Sequence, residues 1–322
     1  MWEAAVDFVT VNNGAVELSV AVSGSGPLIV CAHGFPELWY SWRHQIAHFA
    51  ALGFRVAALD VRGYGRSSKP TEIEAYTLRN LASDVVAVID HMGDGPAILF
   101  GHDWGAPIVW HTALLHPEKI RAVAGLSVPF FPRGSAPFIE VARSAYKGRF
   151  FYQIYFQQEG VAEAELEADV AGALRRTYFA LSGAAPLNKW LEPKPAEAKL
   201  LDGLIDPQPF PGWMSEADLG IYVEAFRAGG LRGPLNRYRA QAIDFGELAE
   251  LSGRSIMQPS TFIAGERDPV RALIPGLDLY ANPGIACADF RGSTIMPGIG
   301  HWVQQEAPRE TNEALEAFVR GL

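Results

Sequence analysis

The sequence predicts an α/β protein, in which a helical unit is inserted into a mostly parallel, doubly wound sheet of eight strands. Short apolar runs alternate with helical patterns up to Val128 and again from Ser260, as is typical of parallel sheets covered by helices. Between Pro129 and about Arg239 the pattern is helical, with Pro- and Gly-rich breaks and no convincing buried strand. Since the chain returns afterwards to complete the sheet, an inserted cap is favoured over a second domain packed beside the first.

The individual elements follow from hydrophobic periodicity. The Asn13-Gly14 pair predicts a leading hairpin between strands at residues 6–11 and 16–22. Continuous apolar runs predict six further strands, at residues 28–32, 55–59, 97–100, 122–128, 260–265 and 286–290. Helices are predicted at residues 42–52, 78–91 and 308–320, and another near Pro107. The predicted domains are a core of residues 1–129 and 241–322 and a helical cap of residues 130–240.

Composition and charge narrow the class of protein. The chain has 322 residues, 49% hydrophobic and 20% charged, as in a globular protein with a large core. A formal net charge of -9 argues against nucleic acids and anionic membranes as partners. No secretory signal is visible, and no apolar run approaches the roughly 18 residues of a membrane span. With Cys31 and Cys287 interpreted as buried apolar side chains, a cytoplasmic protein is expected.

The stretch from Ile98 to Ala106 carries the first chemical signal. A buried strand ends there and a helix begins, and Asp103 lies between them with Gly101 and Gly105 on either side. Small residues at these positions permit a nucleophile elbow, the strained strand-to-helix turn that lifts the central side chain above the sheet. The motif alone is equally compatible with a tight turn in which Asp103 caps the helix. The nucleophile-elbow interpretation is supported by other residues of the chain that could act together with Asp103.

An elbow nucleophile needs a base and an acid that orients the base. Asp268 follows the predicted strand that ends near Gly265, and His301 lies in a Gly-rich loop before the last helix. Nucleophile, acid and histidine thus follow one another in the order expected at the carboxyl ends of such strands. Glu266 is the rival acid, and Asp268 is favoured over it.

Backbone N–H groups complete the predicted site. The amides of Phe35 and Trp104 are the candidates for an oxyanion hole, which uses the residue after the nucleophile and a loop after an early strand. His33 and His102 are interpreted as shaping these loops through local hydrogen bonds. The spacing of the histidines, acids and cysteines gives no metal site, and no cofactor is expected.

These motifs resemble those of epoxide hydrolases of the α/β-hydrolase superfamily over nearly the whole chain. The matching segments are His33-Gly34-Phe35-Pro36, Asp60-x-Arg62-Gly63-x-Gly65-x-Ser67, Gly101-His102-Asp103-Trp104-Gly105, Asp268, His301 and, in the cap, residues 151–157 and 233–239. The core motifs are shared with dehalogenases, whereas the cap segments are more specific. The resemblance implies an α/β-hydrolase fold without an N-terminal phosphatase domain, and a cis peptide at Phe35-Pro36.

The resemblance also implies that Tyr152 and Tyr238 donate to the epoxide oxygen, with Tyr155 as the competitor for Tyr152. A tyrosine is protonated at neutral pH and can therefore assist the departing oxygen. Without the resemblance, both could simply be cap tyrosines that pack. The predicted substrate-binding residues are Phe35, Trp104, Gln153 and Trp302.

The residue type at the elbow points to the same chemistry independently. A carboxylate is a weak acyl nucleophile, but it can displace a leaving group at an sp3 carbon and is ionised without a base. The alkyl ester on Asp103 would then be hydrolysed by water that His301, oriented by Asp268, activates. The sequence therefore predicts an enzyme that converts a small apolar epoxide and water into a vicinal diol, as a monomer or homodimer.

Two other interpretations stay open. Haloalkane and fluoroacetate dehalogenases use the same Asp-His-Asp logic, and Trp104 could donate to a halide. Phe35, where some haloalkane dehalogenases have Asn, and Trp104, where the fluoroacetate type has Arg, favour the epoxide. The second alternative is a non-catalytic binding protein on the same fold, against which the retained triad and both tyrosines argue.

Overall fold

The computed structural model describes residues 6–93 and 95–322, so residues 1–5, searched above for a signal segment, lie outside the described part. Its centre is a sheet of eight strands in the order β1-β2-β4-β3-β5-β6-β7-β8. The strands are β1 (Asp7–Asn13), β2 (Val16–Ser23), β3 (Leu28–Ala32), β4 (Arg55–Leu59), β5 (Ala97–His102), β6 (Ile120–Leu126), β7 (Ile256–Gly265) and β8 (Cys287–Met296). The β1–β2 and β2–β4 pairs are antiparallel and the other pairs are parallel. The predicted mostly parallel sheet with a leading hairpin is confirmed.

Helices cover both faces of this sheet. The core helices are α1 (Arg43–Ala51), α2 (Leu78–Met92), α3 (Gly105–Leu115), α11 (Val303–Glu306) and α12 (Pro308–Arg320). Ile29 and Cys31 of β3 belong to the apolar cluster that α1 and α12 complete. Leu28 and Val30 belong to the cluster that α2 and α3 complete. Because side chains alternate along a strand, β3 is buried on both faces, which explains its unbroken apolar sequence.

Three of the predicted elements differ from the observed ones as follows. The helix predicted at residues 42–52 begins with a separate 3-10 turn, Trp39–Trp42, before α1. Strands β7 and β8 are ten residues long, and both extend beyond the predicted runs. In β7, the pairing register with β8 shifts beside Pro259, which interrupts the apolar pattern of this strand. Strand β8 is largely exposed or half-buried and therefore has no continuous apolar run.

The chain between β6 and β7 forms a helical cap. Its helices are α4 (Phe138–Ala145), α5 (Tyr152–Tyr155), α6 (Val161–Ala168), α7 (Val170–Leu181), α8 (Glu216–Gly229), α9 (Arg232–Arg239) and α10 (Gln241–Glu247). The exact cap limits, residues 130 and 240, stay a prediction, since α10 follows α9 after Ala240 alone. None of the described helices is both long and apolar enough to cross a membrane.

Buried polar contacts fix the cap to the core. In α7, the Tyr178 hydroxyl donates to the Pro36 carbonyl at 2.6 Å, and its own carbonyl accepts from the Trp302 indole at 2.9 Å. In α10, the Asp244 carboxylate accepts from the Leu78 N–H at the start of α2, at 2.6 Å. The cap therefore lies over the loops at the carboxyl ends of the parallel strands, where the predicted site residues are found.

The Asp60-x-Arg62 segment holds together the loops at this edge of the sheet. The Asp60 carboxylate accepts from the backbone N–H groups of Trp39 and Arg66, at 3.1 and 3.0 Å. Arg62 forms a bidentate pair with Asp84 of α2, at 2.9 and 2.6 Å. Both charged groups are buried and fully engaged in holding loops together, so this motif contributes structure to the site.

Candidate active site

Asp103 sits at the tip of a sharp turn between β5 and α3. Its φ of 50° lies in the left-handed region, which costs a non-glycine residue about 1–3 kcal/mol and persists only where the surroundings enforce it. The flanking glycines make the turn possible. A Cβ on Gly101 would lie 2.3 Å from the Gly105 carbonyl oxygen, and one on Gly105 would lie 2.0 Å from the Ala32 carbonyl oxygen. The turn thus has the geometry of a nucleophile elbow.

The loop after β3 approaches the Asp103 carboxylate from the other side. The Phe35 N–H donates to Oδ1 at 2.7 Å. A Cβ on Gly34 would lie 2.3 Å from Oδ1 and 2.6 Å from the Trp104 nitrogen, so only glycine fits between these groups. The two amides predicted for an oxyanion hole therefore lie beside the same end of the carboxylate. The Phe35-Pro36 peptide is cis, as predicted.

His301 joins the two carboxylates that the sequence analysis selected. Its Nε2 lies 3.4 Å from Asp103 Oδ2, and its Nδ1 lies 2.9 Å from Asp268 Oδ2. Both His301 and Asp268 are almost completely buried. The rival acid Glu266 is exposed, and its carboxylate accepts from the Gly298 N–H. Of the two acids, Asp268 is the one in contact with the histidine.

Asp268 is itself held from two directions. Its Oδ1 accepts from the Val270 N–H at 2.9 Å, which fixes the side chain at the start of a 3-10 turn. Its Oδ2 lies 2.7 Å from the Tyr280 hydroxyl, which also lies 2.6 Å from the Ser127 carbonyl oxygen. Tyr280 was not singled out from the sequence, because nothing in its local pattern marks it.

The electrostatics of this group are those of a buried ion pair. Burial opposes ionisation of Asp103, but the hydrogen bond and charge of His301, together with His102 and the Phe35 N–H, hold its pKa below the ordinary value. Burial also opposes protonation of His301, but Asp268 and Asp103 outweigh it and raise the pKa of His301 well above its ordinary value. In the free protein, Asp103 is therefore a carboxylate facing an imidazolium.

Tyr152 and Tyr238 reach the same cavity from the cap. Tyr152 opens α5 and Tyr238 lies in α9, with their ring centroids 6.0 Å apart. Burial raises the pKa of both phenols, so both keep their protons. Tyr155, the competitor for Tyr152, donates instead to Glu165 within the cap at 2.8 Å. The cavity is lined by Phe35, Asp103, Tyr152, Thr177, Leu181, Trp190, Tyr238, Val270, Leu273 and His301.

Two predicted substrate-binding residues, Trp302 and Gln153, lie next to residues that line the cavity, and their contact with a substrate stays a prediction. Trp302 is fully buried and packs against His301, with ring centroids 4.8 Å apart. Gln153 is also buried, and its amide is engaged with Tyr152 and Gln241. Phe35 lines the cavity, and the Trp104 ring packs edge-on against Tyr238 at 5.2 Å.

A cluster of buried polar side chains lies behind the elbow, and the sequence predicted only part of it. As predicted, His33 and His102 make local hydrogen bonds: His33 Nε2 accepts from the Val61 N–H at 3.0 Å. His102 Nδ1 lies 2.7 Å from a Glu37 carboxylate oxygen, and its Nε2 donates to the His301 carbonyl at 2.8 Å. Glu37 was missed, although it directly follows the His33-to-Pro36 segment. Within the described ranges, no three His, Cys, Asp or Glu side chains are grouped to hold a metal ion.

Comparisons with known proteins agree with this geometry. The alpha/beta hydrolase fold family matches residues 27–304. Epoxide hydrolase A of Mycobacterium tuberculosis is 41% identical over 97% of each chain, and epoxide hydrolase 3 of Siraitia grosvenorii is 34% identical over 98% of each. The crystal structure of epoxide hydrolase A from Mycobacterium thermoresistibile superposes with a TM-score of 0.91 at 39% identity, covering 99% of both chains. The chain belongs to the α/β-hydrolase fold family and, within it, to the epoxide hydrolases.

Proposed function

We propose that this epoxide hydrolase opens a small apolar epoxide through a covalent ester on Asp103 and releases a vicinal diol. The observation that carries the proposal is that Asp103, His301, Tyr152 and Tyr238 line one cavity. The apolar side chains Leu181, Trp190, Val270 and Leu273, among others, complete its wall, which supports an apolar substrate. The free thiols of Cys31 and Cys287 support a cytoplasmic location.

In the first step, Asp103 acts as the nucleophile. Its Oδ1 is held by the Phe35 N–H, which leaves Oδ2 as the attacking atom. A bond forms between Oδ2 and one ring carbon while the carbon–oxygen bond of the ring breaks, and the departing oxygen takes a proton from the tyrosine pair. Because Tyr152 and Tyr238 are protonated, they can stabilise the charge that develops on this oxygen.

The first step also prepares the second. Ester formation removes the negative charge of Asp103, which is one of the groups that raise the pKa of His301. The pKa of His301 therefore falls once the ester has formed, so His301 releases its proton and the tyrosine pair takes one up again. The neutral imidazole, held by Asp268, can then act as a general base. Water then attacks the ester carbonyl, and the amides of Phe35 and Trp104 stabilise the oxyanion. The acyl carbon–oxygen bond of the ester then breaks, and the departing oxygen takes the second proton of that water. The diol leaves, and Asp103 is again a carboxylate, with one oxygen atom from water.

The test is a single turnover with styrene oxide in oxygen-18 water, with mass spectrometry of the diol and of the peptide that carries Asp103. The expected result is an unlabelled diol and one oxygen-18 atom in Asp103. A labelled diol and an unlabelled Asp103 would mean direct attack by water and would overturn the covalent mechanism. Bromide release from bromoalkanes, measured in parallel, should be absent, since release would favour the dehalogenase.

Two variants separate the steps. His301→Asn should accumulate the Asp103 ester, with ester hydrolysis slowed by about 10²–10⁴-fold, as is typical of losing a general base. Asp103→Ala should form no adduct and no diol. Equal adduct formation in both variants would show that another residue is the nucleophile.

A further inference from the structure

A chain of buried amides joins the two cap tyrosines. The Tyr238 backbone carbonyl accepts from Gln241 Nε2 at 2.9 Å. The same Nε2 donates to Gln153 Oε1 at 3.0 Å. Gln153 Nε2 in turn donates to the Tyr152 hydroxyl oxygen at 2.9 Å. Gln153 and Gln241 are 6% and 9% exposed, so water does not compete freely for these bonds.

The direction of this chain follows from hydrogen-bond chemistry. A backbone carbonyl can only accept, so the amide group of Gln241 must turn its NH2 toward Tyr238. The second hydrogen of that NH2 then points at Gln153, which must present its oxygen there. The NH2 of Gln153 consequently faces Tyr152. One fixed acceptor thus determines the orientation of both amides, even though an amide's oxygen and nitrogen are nearly the same size.

We propose that Gln241 is a positioning residue that, through Gln153, fixes the direction of the Tyr152 hydroxyl proton. Because the Tyr152 oxygen accepts from Gln153, its own proton is left to donate into the cavity. If Gln153 were reversed, its oxygen would accept the Tyr152 proton, and the phenol would present lone pairs to the epoxide oxygen. The proposal rests on the proposed function, in which Tyr152 assists ring opening.

The hydrogen-bonded chain from Gln241 through Gln153 to Tyr152, called the relay below, should affect only one of the two chemical steps. Ring opening needs a donor at the departing oxygen, whereas ester hydrolysis uses His301, water and the backbone amides. A wrongly directed Tyr152 proton should therefore slow ester formation and leave ester hydrolysis unchanged. A general loosening of the cap would slow both steps, because Tyr152, Asp103 and His301 line the same cavity.

The decisive pair of variants is Gln241→Glu and Gln241→Met, neither of which touches Tyr152. A carboxylate at this position can only accept, so it turns the NH2 of Gln153 toward itself and the oxygen of Gln153 toward Tyr152. We expect Gln241→Glu to slow ester formation by about 100-fold, the effect of losing one donor to an oxyanion. Gln241→Met removes the hydrogen bond that orients the Gln153 amide but does not reverse that amide. It should slow ester formation by about fivefold, well below the loss expected for Gln241→Glu.

Gln157 provides the matched control. Its Nε2 donates to the Tyr238 and Gln153 carbonyls, at 3.0 and 2.9 Å, so it links α5 and α9 with the same number of bonds as Gln241. It makes no bond to either amide side chain of the relay. Gln157→Met should therefore leave ester formation within about twofold of the parent, a change of less than 0.5 kcal/mol in barrier.

The measurement is rapid-quench mass spectrometry of the Asp103 peptide with styrene oxide, which yields separate rates of ester formation and hydrolysis. Slower ester formation in Gln241→Glu than in Gln241→Met, with unchanged hydrolysis, supports the relay. The deficit of Gln241→Glu should shrink as pH falls, because a protonated carboxyl can again donate. Equal losses in the two variants, or parallel slowing of both steps, would overturn the relay.

Gln153→Glu and Gln153→Met repeat the comparison if Gln241→Glu does not fold, as judged by circular dichroism. Here the carboxylate accepts directly from the Tyr152 hydroxyl, and the glutamate variant should again be the slower of the two. Failure of the proposed function looks different, because the parent protein itself would then form no Asp103 ester. The two ideas can therefore fail independently.

Discussion

At the scale of single residues, the proposed cycle depends on a change in the proton affinity of His301. A histidine with a raised pKa is protonated in the free protein and cannot act as a base there. Loss of the Asp103 charge on ester formation lowers that pKa, so the base becomes available only when an ester is present to be hydrolysed. The timing of the second step is thus built into the electrostatics of the first.

This coupling predicts how the two steps respond to pH. Asp103 has a lowered pKa, so it stays ionised and nucleophilic even at a pH where an ordinary aspartic acid has taken up its proton. His301 must lose its proton to act, so ester hydrolysis is lost as pH falls through the pKa of His301 in the ester. Below that value the hydrolysis rate should fall about tenfold per pH unit. At about pH 5 the parent protein should therefore accumulate the Asp103 ester.

Quenched samples taken at about pH 5 and about pH 8 measure the ester directly as the fraction of Asp103 peptide that carries the epoxide mass. His301→Asn is the control, since its ester fraction should be high at both values. A parent ester fraction that does not change with pH would show that His301 is not the base in the second step.

The site residues that could be predicted from the sequence are those that lie at the ends of predicted strands. Asp103 and His301 could be selected because chain order and the ends of predicted strands place them at one edge of the sheet. Asp268 and Glu266 are only two residues apart in one loop, and the loop's conformation decides which carboxylate reaches His301. Gln241 carries no sequence signal, because its role depends on the three-dimensional approach of α10 and α5.

At the scale of elements, the elbow is a contact between β3, β5 and α3 that tolerates no side chain. Gly105 packs so closely on the Ala32 carbonyl that a methyl group would overlap it at 2.0 Å. This atom belongs to the backbone of an inner strand and cannot move aside. We expect Gly105→Ala to lower the free energy of unfolding by about 3 kcal/mol, the upper range for overpacking in a core.

Gly220→Ala is the matched substitution of opposite sign. Gly220 lies inside α8, and a Cβ there would meet nothing within 4 Å. Alanine should therefore stabilise the protein by about 0.5–1 kcal/mol, through helix propensity alone. Urea titrations of both variants test the argument. Equal effects of the two substitutions would mean that helix propensity, and not the contact at the elbow, decides the outcome.

Strand bounds were predicted most accurately where the strand has an unbroken apolar sequence. The inner strands β3, β4 and β5 are nearly or completely buried, and their apolar runs matched the observed bounds closely. The edge strand β8 has one neighbour and exposed residues such as Arg291 and Thr294, so its second half has no apolar run to detect. The cap was predicted as a helical insertion, but its contacts with the core join residues more than 100 positions apart and leave no local pattern.

At the scale of the whole molecule, the site exists only while cap and core are docked. Asp103 and His301 belong to the core, and Tyr152 and Tyr238 belong to the cap. Several polar contacts across this boundary are buried, including those of Tyr178 with Pro36 and of Tyr222 with Ser41. Because breaking them would expose unpaired polar groups along with apolar surface, we expect cap and core to unfold as one cooperative unit.

Tyr178→Phe tests this cooperativity. The change removes the hydroxyl that donates to the Pro36 carbonyl at 2.6 Å in a fully buried position, and should cost about 1–2 kcal/mol of unfolding free energy. If cap and core are one unit, the urea midpoints of far-UV circular dichroism and of catalytic activity should fall together. Tyr155→Phe is the control, because its hydroxyl bonds to Glu165 within the cap. A fall in the activity midpoint of Tyr178→Phe without a matching fall in ellipticity would instead mean that the cap detaches before the core unfolds.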